Sequence, residues 1–161
     1  MENNTIVYTD EQKNFIKKLH NEIRRSQEFW KEHVKSWGDR RGKTFYVDLN
    51  YFVRVVQYAI MNNELKLANK VLDKIEEFLA NANEESRNDI TYFFFEDVTN
   101  GLGWQEEKYM EIFVSLLGQY SKNCCRKLDE FWGTKTPGVD YHTKNPSENE
   151  KNNHEEMDPE K

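Results

Sequence analysis

Residues 48–80 read DLNYFVRVVQYAIMNNELKLANKVLDKIEEFLA. Leu49, Phe52, Val53, Val56, Ala59 and Ile60 recur at three- and four-residue spacing, which lays one apolar stripe along a helix through Met61. Asp48 suits the start of that helix, because its carboxylate can accept from first-turn amides that have no partner within the helix. Asn62-Asn63 interrupts the pattern, and it resumes at Leu65, Ala68, Val71, Leu72, Ile75, Phe78 and Leu79 in a helix from about Glu64 to Ala80. So short a break between two amphipathic helices predicts an antiparallel helical hairpin.

The flanking sequence repeats the pattern. On the amino-terminal side, Thr9-Asp-Glu-Gln12 is a capping box and opens an apolar series at Phe15, Ile16, Leu19, Ile23, Trp30, Val34 and Trp37, read as one long helix ended by Gly38. A basic loop, residues 39–44, follows. Beyond the hairpin, the polar stretch 81–86 places acids at the start of a fourth helix, whose buried side is Ile90, Phe93, Phe94, Phe95 and Val98 and whose end is Gly101-Leu-Gly103. The Phe93–Phe95 run is also compatible with a strand. A fifth helix, about Glu106 to Phe131, carries Tyr109, Ile112, Phe113, Leu116, Leu117, Tyr120, Cys124, Leu128 and Phe131. The expected fold is all-α, a compact bundle of about five helices built from antiparallel hairpins. Its domain spans residues 1–133. Residues 134–161 hold seven acids, four lysines and all three prolines but little apolar surface, and are read as a disordered acidic tail that the fold can lose without cost.

Composition agrees with this reading. A chain of 161 residues fits one domain. Apolar residues are 37% of it, yet aromatics reach 14%, so the core is built from few, large side chains, with Trp30, Trp37, Trp104 and Trp132 as core anchors or interface residues. With 7 Gly and 3 Pro there are too few turn residues for a many-stranded protein. The two cysteines, Cys124 and Cys125, are neighbours in sequence, so no disulfide framework follows and a reducing cytoplasm is the expected location. The amino terminus lacks the pattern of a secretory leader, and no apolar run approaches the ~20 residues that span a bilayer.

The net charge of −6 is unevenly distributed. Residues 13–43 contain ten Lys or Arg against four acids, a local +6; residues 84–112 contain eight acids against Arg87 and Lys108, a local −6. Such asymmetry steers charged partners and says nothing about fold.

No arrangement of residues points to catalysis. His20 and His33 lie thirteen apart on the long first helix, too far to share a metal, and His142 and His154 fall in the tail, so all four are read as solvated. The cysteine pair lacks zinc spacing. The carboxylate pairs Glu76-Glu77, Glu84-Glu85, Glu96-Asp97 and Glu106-Glu107 diverge by about 100° on a helix and form a solvated face, with Glu96 and Asp97, directly after the phenylalanine run, the exception kept as a possible groove. Nucleophile-elbow, zinc-protease and phosphate-loop motifs are absent. No cofactor and no metal are expected, and the chain is not read as an enzyme.

The stretch from Val71 to Val98, followed by Leu116-Leu-Gly-Gln-Tyr-Ser121 and Leu128-Asp-Glu-Phe-Trp132, resembles small all-helical bacterial proteins that look like the immunity proteins of polymorphic toxin systems. The likeness covers about residues 48–133. It implies a protein that neutralises a cognate toxin by binding it, and it carries no agreed binding residues. The charge pattern supplies candidates: Glu84, Glu85, Asp89, Glu96, Asp97, Glu106, Glu107 and Glu111 as a face that steers a basic protein partner, with Trp104 and Tyr109 as aromatic anchors. The alternative is a nucleic-acid-binding or regulatory helical protein using the basic 13–43 face, where Trp30, Trp37, Phe45 and Tyr46 would stack on bases. The acidic total charge weighs against it.

Overall fold

The computed structural model describes residues 7–24 and 27–139. These are helical throughout apart from their connections, and no strand occurs among them. The helices are α1 (Asp10–Glu22), α2 (Gln27–Trp37), α3 (Phe45–Met61), α4 (Leu65–Asn81), α5 (Glu84–Ile90), α6 (Glu96–Gly103), α7 (Glu107–Ser115) and α8 (Gln119–Trp132), with a short 3-10 turn at Gly38–Arg40.

Helix α3 forms the centre. Its sequence is apolar around most of its circumference, and its buried side chains include Tyr51, Phe52, Val56 and Ile60, so partners are required on several sides. Helices α1, α2, α4, α6 and α7 supply them. The hairpin of α3 and α4 forms as expected, with Asn63 at φ 59°, the left-handed conformation that asparagine tolerates best after glycine. The amino-terminal cap of α3 is Thr44, whose hydroxyl accepts from the Val47 amide at 3.2 Å, and not Asp48. Asp48 lies one turn further in, accepting from the Gly42 amide at 2.9 Å and the Tyr8 hydroxyl at 2.8 Å, so it ties the basic loop and the first described segment to α3.

The expected long first helix is two helices. A continuous rod over residues 9–37 would be roughly 42 Å long, well beyond the ~30 Å across a domain of this size. The chain turns instead at Ile23, which is extended (φ −107°, ψ 110°) and buried. The expected fifth helix also breaks, at Leu116–Gly118, so that α7 packs on α3 and α6 while α8 packs on α4 and α5. The Glu76 carboxylate of α4 occupies that break. It accepts from the Tyr120 amide (2.8 Å), the Ser121 amide (2.9 Å) and the Ser121 hydroxyl (2.6 Å), capping α8 from another helix. Glu76 is therefore a structural carboxylate and not part of a solvated face. Gly118 is required there, because a β-carbon would lie 2.4 Å from the Glu76 carboxyl carbon. This contact explains the Leu-Gly-x-x-Ser element.

Between α5 and α6 the rod continues through a π-helical turn, Thr91–Phe95. Four aromatic residues in succession cannot all face a core from an α-helix, whose successive side chains diverge by about 100°. The wider turn lets Phe94 and Phe95 both become fully buried, their rings edge to face at 5.1 Å, while Tyr92 and Phe93 stay half-buried. The threonine hydroxyls flanking it donate to backbone carbonyls, Thr91 to Arg87 and Thr99 to Phe95, each at 2.8 Å. Gln57 of α3 donates to the Asp97 carbonyl at 3.0 Å.

The domain does not stop at residue 133. Gly133 ends α8 in the left-handed conformation (φ 67°), and the segment beyond it folds back. Asp129, buried in α8, accepts from the Thr136 amide (2.8 Å), the Thr134 hydroxyl (3.0 Å) and the Thr136 hydroxyl (2.8 Å), and Val139 packs into the core. The remainder of the expected tail, residues 140–161, lies outside the described residues.

Candidate protein-binding surface

The structure divides the ten candidate residues into three groups. Glu84 and Glu85 are exposed in the first turn of α5, after the Asn83 cap, and Asp89 follows one turn later. Asp89 is half-buried and accepts from the Gln12 side chain at 2.8 Å, which docks α5 on α1. Burial pushes its carboxyl above the usual range, the Gln12 bond opposes this, and the charge of Glu85 adds to it. Glu96 and Asp97 open α6 and diverge. Asp97 turns toward α3, where Tyr46 donates to it; burial raises its pKa, the neighbouring Glu96 adds, and the Tyr46 bond lowers it. Trp104, Glu106, Glu107, Tyr109 and Glu111 cluster at the corner between α6 and α7. Glu84 and Gly103 stand at opposite ends of a rod roughly 28 Å long, so the acidic run does not form one compact face.

At the corner the candidate side chains are mostly exposed. Trp104, the residue after α6, is 89% exposed. Glu106, Glu107 and Glu111 around it are exposed. Lys108 pairs with Glu106 at 3.0 Å, and its ammonium lies 5.1 Å from the centre of the Tyr109 ring, leaving Tyr109 half-covered.

Beside this corner is a cleft of about 550 Å³. One wall is α6, with Glu96, Thr99, Asn100 and Gly103; the others are Met110 of α7, the end of α8 with Leu128 and Trp132, and the segment 134–137 that Asp129 holds in place. Phe131 and Trp132 are 65% and 58% exposed, and Tyr92, Phe131 and Trp132 form a row with edge-to-face contacts at 6.1 and 5.0 Å. Cys125 lines the back of the cleft, but burial pushes its thiol and that of Cys124 up, the latter to about 11, so both remain protonated and poorly nucleophilic at neutral pH. A larger groove of about 950 Å³ separates α1 from α4. There Lys74 bridges Glu22 and Glu77 at 3.2 Å each, so its central charges are satisfied internally.

The histidines depart most from the sequence reading. Because the first helix breaks, His20 on α1 and His33 on α2 both reach the Tyr51 ring, each at 5.7 Å between centroids, with Trp30 among them at 5.3 to 5.6 Å from all three. His33 is 2% exposed and is the buried residue of α2, and among the described residues its Nδ1 has no hydrogen-bond partner. Burial lowers its pKa; the Asp48 charge raises it, and Arg41 and Arg54 lower it. Neither the helix break nor this burial had a local sequence signal. Among the described residues, no three His, Cys, Asp or Glu side chains converge as a metal-binding set.

Among the described residues, the aromatic side chains expected to stack beside the basic 13–43 face are engaged within the fold. Phe45 is buried, Trp30 lies in the histidine cluster, Trp37 donates to Asn50 at 3.3 Å, and Tyr46 is held by Asp97 and the Phe93 ring. Among the described residues, no helix is long and apolar enough to cross a membrane.

Residues 16–133 match the family described as a domain of unknown function, DUF7674. No curated protein and no solved structure matches the chain.

Proposed function

The chain belongs to the DUF7674 family, a domain of unknown function, and we propose that it is a protein-binding module for a basic partner, acting by capture and not by catalysis. The observation that carries this reading is Trp104, 89% exposed at a corner that also exposes Glu106, Glu107 and Glu111. A tryptophan in water contributes nothing to folding, whereas buried at an interface it is among the residues that dominate binding energy. The surrounding carboxylates speed encounter with a positively charged protein and disfavour acidic ones. Neutralisation of a bacterial toxin is the role suggested by the resemblance to immunity proteins, and a basic toxin domain fits the charge. The reading places the partner in the same compartment as the chain, the cytoplasm.

The product of the adjoining gene is the first partner to test, by calorimetry with the full chain. If it ends in a small basic domain, binding should weaken with salt, and Trp104→Ala should reduce affinity by about thirtyfold, the ~2 kcal/mol scale of a hot spot. Full affinity in Trp104→Ala, or binding that salt does not change, would sink the reading. A nucleic-acid function would instead show retention on DNA that is abolished by substituting Arg40, Arg41 and Lys43.

A further inference from the structure

Resting on the binding reading above, we infer that the cleft between α6, α8 and the 134–137 segment seats a cationic side chain of the partner, arginine or lysine, with Glu96 as its counter-charge and Trp132 as its aromatic wall.

Glu96 lines the cleft and is half-buried, and among the described residues its carboxylate has neither a hydrogen bond nor an ion pair. That state distinguishes it from the other carboxylates nearby. Asp97 is bound by Tyr46, Glu106 by Lys108, and Asp129 by Thr134 and Thr136. A carboxylate withdrawn partly from water gains more from a charged donor than an exposed one does, because the local dielectric is lower and a guanidinium can bond both oxygens. The walls suit the rest of such a side chain. Met110, Leu128 and Pro137 offer apolar surface to a methylene stem, and the half-open face of Trp132 can attract the cation itself.

Size and charge point the same way. About 550 Å³ lies within the ~300–1,000 Å³ range of sites that enclose a small group, and it suits one long side chain with its neighbours better than a folded domain. Lys135 also lines the cleft but is exposed and makes no ion pair with Glu96 among the described residues, so its ammonium can remain in solvent. Through Gly103 the cleft adjoins Trp104 and the acids of α7, so one basic segment could cover the corner and place a side chain in the cleft.

The probe is a capped peptide of sequence Ala-Arg-Leu-Arg-Ala, with a twin in which citrulline, the same shape without charge, replaces both arginines. Each is titrated into the isotopically labelled full chain while the indole resonances of Trp132 and Trp104 are followed, the Trp132 signal being assigned with Trp132→Phe. The arginine peptide should shift the Trp132 resonance saturably at roughly millimolar concentration. The citrulline twin should bind at least tenfold more weakly, and Glu96→Gln, at unchanged melting temperature, should remove that difference. An absent Trp132 shift, or equal shifts from both peptides, overturns the inference. If Trp104 and the α7 acids respond while Trp132 and Glu96→Gln do not, the cleft fails as the seat and the acidic corner survives. If neither tryptophan responds, the cleft proposal fails and the corner loses its support as well.

Discussion

Glu76 and Gly118 should be energetically inseparable. The Glu76 carboxylate makes three hydrogen bonds to the first turn of α8, and bonds to a charged group contribute about 1.5–3 kcal/mol each before the loss of solvation is counted. The net effect exceeds the ~2 kcal/mol of a strong amino-terminal cap, because three bonds go to one charged group, so Glu76→Ala should cost about 3 kcal/mol. Gly118→Ala acts through the same group. The Gly118 backbone, at φ −78° and ψ −178°, suits any residue, but the new β-carbon would lie 2.4 Å from the carboxyl carbon and 2.6 Å from Oε1. The carboxylate must withdraw and release the same amides, a cost of about 2–3 kcal/mol. Once Glu76 is alanine nothing remains to clash with, and Gly118→Ala should then cost only the roughly 0.5–1 kcal/mol that separates glycine from alanine at a cap. The double variant is therefore more stable than additivity predicts by about 2 kcal/mol. Urea denaturation of the full chain, followed by far-ultraviolet circular dichroism for the four members of the cycle, measures this coupling. Additivity within about 0.5 kcal/mol, the behaviour of independent sites, would refute the reasoning.

Two further perturbations test the histidine cluster and the carboxyl-terminal segment. Burial holds the folded-state pKa of His33 below the ~6.5 of an unfolded chain, so the unfolded state takes up the proton first as pH falls. Stability contributed by neutral His33 is thus fully present above about pH 6.5 and is lost below it, at up to roughly 1.4 kcal/mol per pH unit. His33→Leu should flatten the melting-temperature profile between about pH 7 and 5.5, and an unchanged slope in that variant would exclude His33 as its source. Ending the chain after Gly133 removes the buried Val139 and the hydrogen bonds that Asp129 accepts from Thr134 and Thr136, for a combined loss of about 3 kcal/mol, or roughly 6–12 °C in melting temperature. Ending it after residue 141 keeps those contacts. Equal melting temperatures for the two truncations would show that the 134–139 segment contributes nothing.

What was legible in the sequence was what depends on near neighbours. The Thr9–Gln12 capping box forms as its spacing requires, with reciprocal bonds of 3.2 and 3.1 Å, and the stripes of α3 and α4 are buried at the expected positions except Leu65, which is half-buried. The helix breaks were not legible, since α1 and α2 share an apolar periodicity that runs through the interruption. They are imposed by the need to cover α3 from more than one side. Glu76 and Asp129 were hidden for a related reason. Glu76 has partners 44 and 45 residues away, and those of Asp129 lie in a segment whose composition reads as disordered. In the candidate surface, charge was visible as a local excess of acids, but its division between two ends of a rod and the turning of Asp97 toward Tyr46 follow from tertiary packing alone.

The distribution of aromatic residues gives a separate reason to regard the α6–α7 corner and the cleft as functional. The core is built on phenylalanine, with Phe45, Phe52, Phe94, Phe95 and Phe113 all fully buried, and none of the four tryptophans belongs to its buried set. Trp30 and Trp37 are half-covered and hold α2 and the basic loop against α3, which accounts for them structurally. Trp104 and Trp132 have no such role: one follows α6 and the other ends α8, at positions where a polar residue would serve the helix equally well and solubility better. Both occur where carboxylates are concentrated, and Trp132 lines the cleft that contains Glu96, which is unpartnered among the described residues. Folding requires neither the exposed rings nor the unpaired charge, whereas recognition of a basic chain uses both. Replacing Trp104 and Trp132 together should therefore leave the fold intact while removing the surface on which the proposed binding depends.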